Sequence, residues 1–258
     1  SSAVLFSATL SPLPYFRDIL GGTEEDKILA LDSPYDKRRL CVLITDIVST
    51  RYKERDQSKE QLVKLIGTFV QSKTGNYIVY FPSYKYLTDV HAEFVRTFPD
   101  LKVVVQQSEM TEQQREEFIE LFTENPEKTL VAFCVLGGIF AEGIDLKGSR
   151  LIGTVIVGVG LPQLSVRQNI IKDYFDGKNN QGFEYAYLYP GMNKVLQAVG
   201  RVIRSESDIG AVLLIDDRYG QHSYKRLLPR HWLPFKKIRT CAELERNLES
   251  FWSLFVCR

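Results

Sequence analysis

Three side chains with chemistry to offer stand in order in "NKVLQAVGRVIRSESDIG" (193–210): Gln197, Arg201 and Arg204. Read as one helix, the stretch lines up Met192, Val195, Leu196, Val199 and Ile203 as an apolar stripe. Gln197, Arg201 and Arg204 then recur at i, i+4 and i+7 on another face. Planar guanidiniums suit phosphate oxygens, because several N–H donors in a fixed fork match them at once. Gly200, beside Arg201, costs a helix about 1 kcal/mol and points to a close approach to the backbone there. The spacing alone equally fits a solvated helix face with two ordinary arginines.

A second group follows a buried apolar run: "GGIFAEGIDLKG" (137–148), with Glu142, Gly143 and Asp145. Glycines free backbone N–H groups, and a loop at the carboxyl end of a parallel strand is where ligands bind in such sheets. A glycine-rich connection with two solvated acids is the competing reading. No G-x-x-x-x-G-K-[ST] occurs in the chain. Phosphate-reading arginines without a phosphate-cradling loop imply half of a shared site, with the nucleotide held elsewhere. Ser83 and Tyr84 suit contact with a nucleic-acid backbone, and Tyr84 equally suits a core. Asp217 and Arg218, after the strand-like "AVLLID", suit an ion pair or a ligand contact. Lys236, Lys237 and Arg239 form a basic cluster of the kind that is usually solvated surface. His91, His222 and His231 are scattered near no nucleophile pattern.

The elements that must carry these residues alternate. Leu62, Leu65, Ile66, Phe69 and Val70 recur at helical spacing, and "NYIVYF" (76–81) follows as a strand. A helix with Tyr84, Leu87, Val90, Phe94 and Phe98 on one stripe comes next. "KVVV" (102–105) reads as a strand, and "MTEQQREEFIELF" (110–122) as a helix capped by Thr111. "TLVAFCV" (129–135) and "RLIGTVIVGV" (150–159) are near-continuous apolar strands, buried on both faces as in a parallel sheet. "QLSVRQNIIKDYFDGKNNQG" (163–182) reads as a helix and then an exposed polar loop. The expected class is α/β, a doubly wound and mostly parallel sheet with helices on both faces. At the other end, Val4–Ser7 reads as a strand that meets Ser7, Ala8 and Thr9. Small hydroxyl residues at a strand's end belong to the lip of a site.

The totals set bounds. A chain of 258 residues with 44% apolar and 25% charged residues buries a real core. Lys and Arg number 33 against 32 acids, which excludes a polycationic tail protein but not a local basic groove. Four cysteines, Cys41, Cys134, Cys241 and Cys257, form no C-x-x-C pair, so neither zinc nor iron–sulfur ligation is supported. They fit reduced thiols in a cytosolic compartment. The apolar stretch Leu151–Leu161 is too short for a membrane span.

The ordered set "SATLSP", "VYFPSYKYL", "GIFAEGIDLKG", "QAVGRVIRSESDIG" and "DDRYG" resembles the C-terminal part of XPD/DinG-type superfamily 2 DNA helicases, over nearly the whole chain. The resemblance implies a RecA-like fold, with residues 1–25 a remnant of the first motor domain, 26–39 a connection and 40–258 the second RecA-like domain. It implies that Ser7, Ala8 and Thr9 match motif III, which couples nucleotide state to DNA grip. Ser83 and Tyr84 match motif IV, toward DNA. Glu142, Gly143 and Asp145 match motif V, and Gln197, Gly200, Arg201 and Arg204 match motif VI. In that family the motif VI arginines reach across to the terminal phosphates of the nucleotide. ATP and Mg2+ would sit on an N-terminal RecA-like domain of the same polypeptide, together with any four-cysteine cluster, and none would be bound by this piece alone. The implied partner is single-stranded DNA, without a membrane, in a cytoplasmic, nucleoid-associated protein of bacterial type. A non-catalytic nucleic-acid-binding or protein-interaction module with the same fold is the rival reading.

Overall fold

The computed structural model describes residues 3–142 and 144–255, with only the backbone of Glu142. Seven parallel strands form one sheet: β1 (Leu40–Thr45), β2 (Asn76–Phe81), β3 (Lys102–Val105), β4 (Leu130–Val135), β5 (Gly153–Val157), β6 (Gly210–Ile215) and β7 (Lys236–Lys237). Their spatial order is β3-β4-β2-β5-β6-β1-β7. The register sets Leu40 against Gly210, Tyr77 against Val131 and Gly153, and Thr154 against Val212.

The expected near-continuous apolar strands are there because both faces are covered. Alternate residues Leu43, Val79, Phe81, Phe133, Val155 and Leu213 enter one core. Helices α2 (Arg55–Gln71), α3 (Tyr84–Thr97) and α9 (Cys241–Ser253) close that side through Leu62, Phe69, Phe94, Leu248 and Trp252. The intervening Ile44, Ile78, Tyr80, Cys134, Ile156 and Leu214 enter the other core. There α4 (Glu112–Glu120), α5 (Ile139–Glu142) and α7 (Tyr189–Val199) supply Phe118, Phe140, Met192, Val195 and Val199. Thr111 caps α4 as expected, in a reciprocal box with Gln114. Helix α6 (Val166–Asn179) leads through a π-helical turn, Glu184–Leu188, straight into α7. No helix among the described residues is long and apolar enough to cross a membrane.

Two local expectations are corrected. The strand read at Val4–Ser7 does not form: Val4 and Phe6 are 84% and 90% exposed, and no strand among the described residues pairs with them. The segment after it is not loose, however. Helix α1 (Leu13–Ile19) docks through Tyr15, whose ring meets Tyr185 and Tyr189 at 5.2 and 5.1 Å. Tyr185 donates its hydroxyl to Asp18 at 2.5 Å, and Asn193 donates to the Ser11 carbonyl at 3.1 Å.

The second correction concerns 193–210. The helix ends at Val199, with Gly200 as its cap, and Arg201 and Arg204 lie beyond it. The turn is needed for packing. A Cβ on Gly210 would stand 2.1 Å from Cγ1 of Val202, so Val202 lies directly over the start of β6. A helix continued to 210 would carry Val202 away from that place. Ile203 is accordingly only half-buried, and Val202 takes the buried position. The short helix α8 (His222–Lys225) follows β6 after a single turn at Asp217–Gly220.

Candidate functional site

Two loops meet beside the N-terminal ends of β5 and β6. One is the stretch after α5, with Asp145; the other is the turn after α7, with Arg201 and Arg204. Arg201 is half-buried and donates Nε to the Ala141 carbonyl at 3.0 Å and Nη1 to the Ile144 carbonyl at 2.9 Å. Its fork therefore fixes the course of the loop that carries Glu142 and Asp145. Arg204 is exposed and donates Nε to Asp145 Oδ1 at 3.1 Å. Lys147 approaches the other oxygen of Asp145 at 3.2 Å. Lys147 first holds the Asp145 carboxyl below the usual carboxylate range; burial opposes it, and Arg204 adds to the lowering. The Arg204–Asp145 pair is open to water, with side chains 35% and 50% exposed. Such pairs contribute about 0–1 kcal/mol, so re-aiming Arg204 at a phosphate costs little.

Asp208 organises this turn, and sequence reasoning gave it no role. Its side chain is buried, and it accepts from the backbone N–H of Arg204 at 2.6 Å and of Ser205 at 2.8 Å. It also accepts from the Ser205 hydroxyl at 2.6 Å and from the Gly148 N–H at 3.1 Å. One carboxylate thus ties the Arg204 turn to the loop after Asp145. The available signal was a Ser-x-x-Asp turn pattern just ahead of a strand.

The other expected residues fall as follows. Gln197 is half-buried in the last turn of α7, and Gly200 caps that helix in an ordinary right-handed conformation. Gly143 and the side chain of Glu142 lie outside the described residues. Ser7, Ala8 and Thr9 form an exposed turn in which the Thr9 N–H donates to Ser7 Oγ. Ser83 caps α3, accepting from the Tyr86 N–H. Tyr84 stands partly exposed beyond the end of β2, donating to the Gln107 carbonyl and accepting from Gln106 Nε2 at 2.9 Å. Ser83 and Tyr84 thus stand beyond the carboxyl end of β2, whereas Arg204 lies ahead of the amino end of β6. Arg218 pairs with buried Asp216 at 2.6 Å, while Asp217 pairs with Arg51 at 3.1 Å. Lys236 and Lys237 form the short edge strand β7, and Lys237 reaches Asp46 at 2.6 Å.

Residues 66–235 match the helicase C-terminal domain family, about two thirds of the chain. The chain belongs to that family. Its curated relatives include the ATP-dependent DNA helicase DinG of Photobacterium profundum, 28% identical over 92% of this chain and 35% of that protein. The XPD helicase subunit of general transcription and DNA repair factor IIH from Arabidopsis thaliana is 26% identical over 88% of this chain and 32% of its own length. A solved XPD helicase structure superposes with a TM-score of 0.70 at 24% identity, covering 93% of this chain and 43% of that one. This helicase C-terminal domain thus spans about a third of the relatives it matches. It is of the XPD/DinG type and its sheet is RecA-like. In the helicase domain the matched span takes in β2 through β6, and with them the loops that carry Asp145, Arg201 and Arg204.

Proposed function

We propose that the chain is the second motor domain of an ATP-dependent DNA helicase and supplies Arg204 to an ATP site shared with an N-terminal RecA-like domain of the same polypeptide. The supporting observation is the exposed guanidinium of Arg204, on a turn held by Asp208 and paired among the described residues with water-exposed Asp145. Charge spreads over the transferred phosphoryl group in the transition state, and a fixed guanidinium stabilises it. In this reading Arg201 acts through the loop it holds, placing Asp145 at the cleft with Gln197 and Gly200 near it, and Glu142 and Gly143 are expected to serve the nucleotide as the resemblance implies. Among the described residues no group of three His, Cys, Asp or Glu could hold a metal ion. In this reading the magnesium that accompanies ATP sits on the partner domain, where it would neutralise phosphate charge. Residues 1–25 are read as belonging with that domain, 26–39 as the connection and 40–258 as the second motor domain. Ser7, Ala8 and Thr9 couple the two domains, and Ser83 and Tyr84 face single-stranded DNA. Opening and closing of the shared site moves the two domains along the strand.

The first test uses the purified chain alone. It should hydrolyse no ATP above background, with or without DNA. DNA-stimulated turnover by the chain that survives Arg201→Ala and Arg204→Ala would remove the shared-site reading.

A further inference from the structure

The turn that carries Arg204 is held from two sides. Asp208, with the loop at Gly148, holds one. On the other lies the end of the polar stretch ahead of β1. The Tyr35 hydroxyl donates to the Arg204 carbonyl at 3.2 Å, and Arg39 Nη1 donates to the Ser207 carbonyl at 3.1 Å. Both bonds end on backbone oxygens, so they fix the course of the turn. They take nothing from the Arg204 guanidinium, which keeps its exposed place beside Asp145.

The sheet explains the meeting. Strands β1 and β6 are parallel neighbours, with Leu40 against Gly210. The residues just ahead of each strand therefore lie side by side at one end of the sheet. The segment ahead of β1 is also stiff. Asp36 accepts from the Arg38 N–H at 2.9 Å and from Arg38 Nε and Nη2 at 3.1 and 2.8 Å, and so starts the single turn Lys37–Arg39. Arg39 carries its Cζ 5.9 Å from the centre of the Phe255 ring, just after α9. Tyr35 and Arg39 are both half-buried.

The residues before it have the opposite character. Residues 26–32 are exposed throughout and form neither helix nor strand. Among the described residues, the Tyr35–Arg204 bond is the first hydrogen bond from this stretch to the body of the domain. The exposed run of the proposed connection, 26–39, thus lands on the turn of Arg204.

We infer that Tyr35 and Arg39 are positioning residues for Arg204, and that the connection 26–39 is a strap which ties the placement of that guanidinium to the segment before it. The inference rests on the shared-site reading above, and the arms of the test separate the two. A pull on the exposed run reaches Tyr35 first. It loosens the bonds to the Arg204 and Ser207 carbonyls and lets the turn drift from the phosphate. Misplacing a group by an ångström costs on the order of 10² in rate. Plain loop packing would stabilise the fold and leave catalysis untouched.

The test is made on a polypeptide that carries both proposed motor domains. Steady-state ATP hydrolysis, with saturating single-stranded DNA, compares the parent with Tyr35→Phe, Arg39→Lys, Arg39→Ala, Arg204→Ala and the double variant Tyr35→Phe/Arg204→Ala. Melting is followed for each. Tyr35→Phe removes one oxygen and should lower kcat about tenfold, with KM for ATP and the melting temperature unchanged. Arg39→Lys keeps a donor and should retain more of the rate than Arg39→Ala. With Arg204 already replaced, Tyr35→Phe should cost nothing further, because residues that act as a unit are not additive. Parental kcat in Tyr35→Phe and Arg39→Ala, beside a large loss in Arg204→Ala, would overturn the strap and leave the shared-site reading standing. A tenfold loss that persists in the double variant would overturn it too, since the effect would not pass through Arg204. A loss in Tyr35→Phe that is matched by a fall in melting temperature would make the contact structural and remove the positioning role. A parental rate in Arg204→Ala would remove the shared site and the strap with it.

Discussion

Arg201 and Arg204 are three residues apart and do different work. Arg201 spends at least two donors on the carbonyls of Ala141 and Ile144, whereas Arg204 holds one exposed carboxylate. Hydrogen bonds to charged groups contribute about 1.5–3 kcal/mol, and an exposed ion pair about 0–1 kcal/mol. Arg201→Ala should therefore lower the melting temperature of the chain by several degrees and Arg204→Ala by one or two at most. Equal losses, or a larger loss for Arg204, measured by calorimetry would contradict this division. The residue types were legible in the sequence, because guanidiniums at a fixed interval after a glycine-flanked apolar stripe suit phosphate. Their division was not, since it depends on where the helix stops. Asp208 escaped notice for the same reason. Its role exists only once the turn has formed and Gly148, sixty positions away, is beside it.

At the scale of elements, α7 sets the position of everything after it. Its anchor is a backbone contact. A Cβ on Gly191 would lie 2.7 Å from the Val159 carbonyl oxygen and 3.1 Å from the carbonyl carbon of Gly160. Neither neighbour is a side chain that can swing aside. Gly191→Ala should displace α7 from the β5 loop and destabilise the chain by about 1–3 kcal/mol, as overpacking does. A variant that melts with the unaltered chain would show that the contact is slack. Strands β2, β4 and β5 were readable because parallel strands covered on both faces are apolar throughout. The strand β1 carries the same signature in "LCVLIT", yet it follows a polar, proline-containing stretch and drew no assignment. Helix α9 was also readable in principle from Leu244, Leu248, Phe251 and Trp252, spaced to pack against α2 and β1. The segment 4–7 failed in the opposite direction: it has strand composition, but a strand requires a neighbour.

At the scale of the whole molecule, a net charge of +1 conceals a local cation cluster. Arg51, Arg55 and Arg218 come together only because β1 and β6 lie side by side in the sheet, a relation no local pattern states. Val4, Leu5 and Phe6, and Leu29 and Leu31, present apolar surface to water. In the proposed reading that surface faces the N-terminal motor domain. Arg204 is proposed to complete an ATP site across that boundary, so the deciding measurement is made on a polypeptide that also carries the proposed N-terminal motor domain. Steady-state ATP hydrolysis should be measured with saturating single-stranded DNA for the parent, Arg204→Ala and Arg204→Lys. Removing an arginine finger costs ~10³–10⁵ in rate, or roughly 4–7 kcal/mol of barrier. Arg204→Ala should show a loss of that size in kcat, with little change in KM for ATP or in melting temperature. Lysine keeps the charge without the planar fork and should recover only a small part of the rate. Hydrolysis by Arg204→Ala at the parental rate would contradict the account.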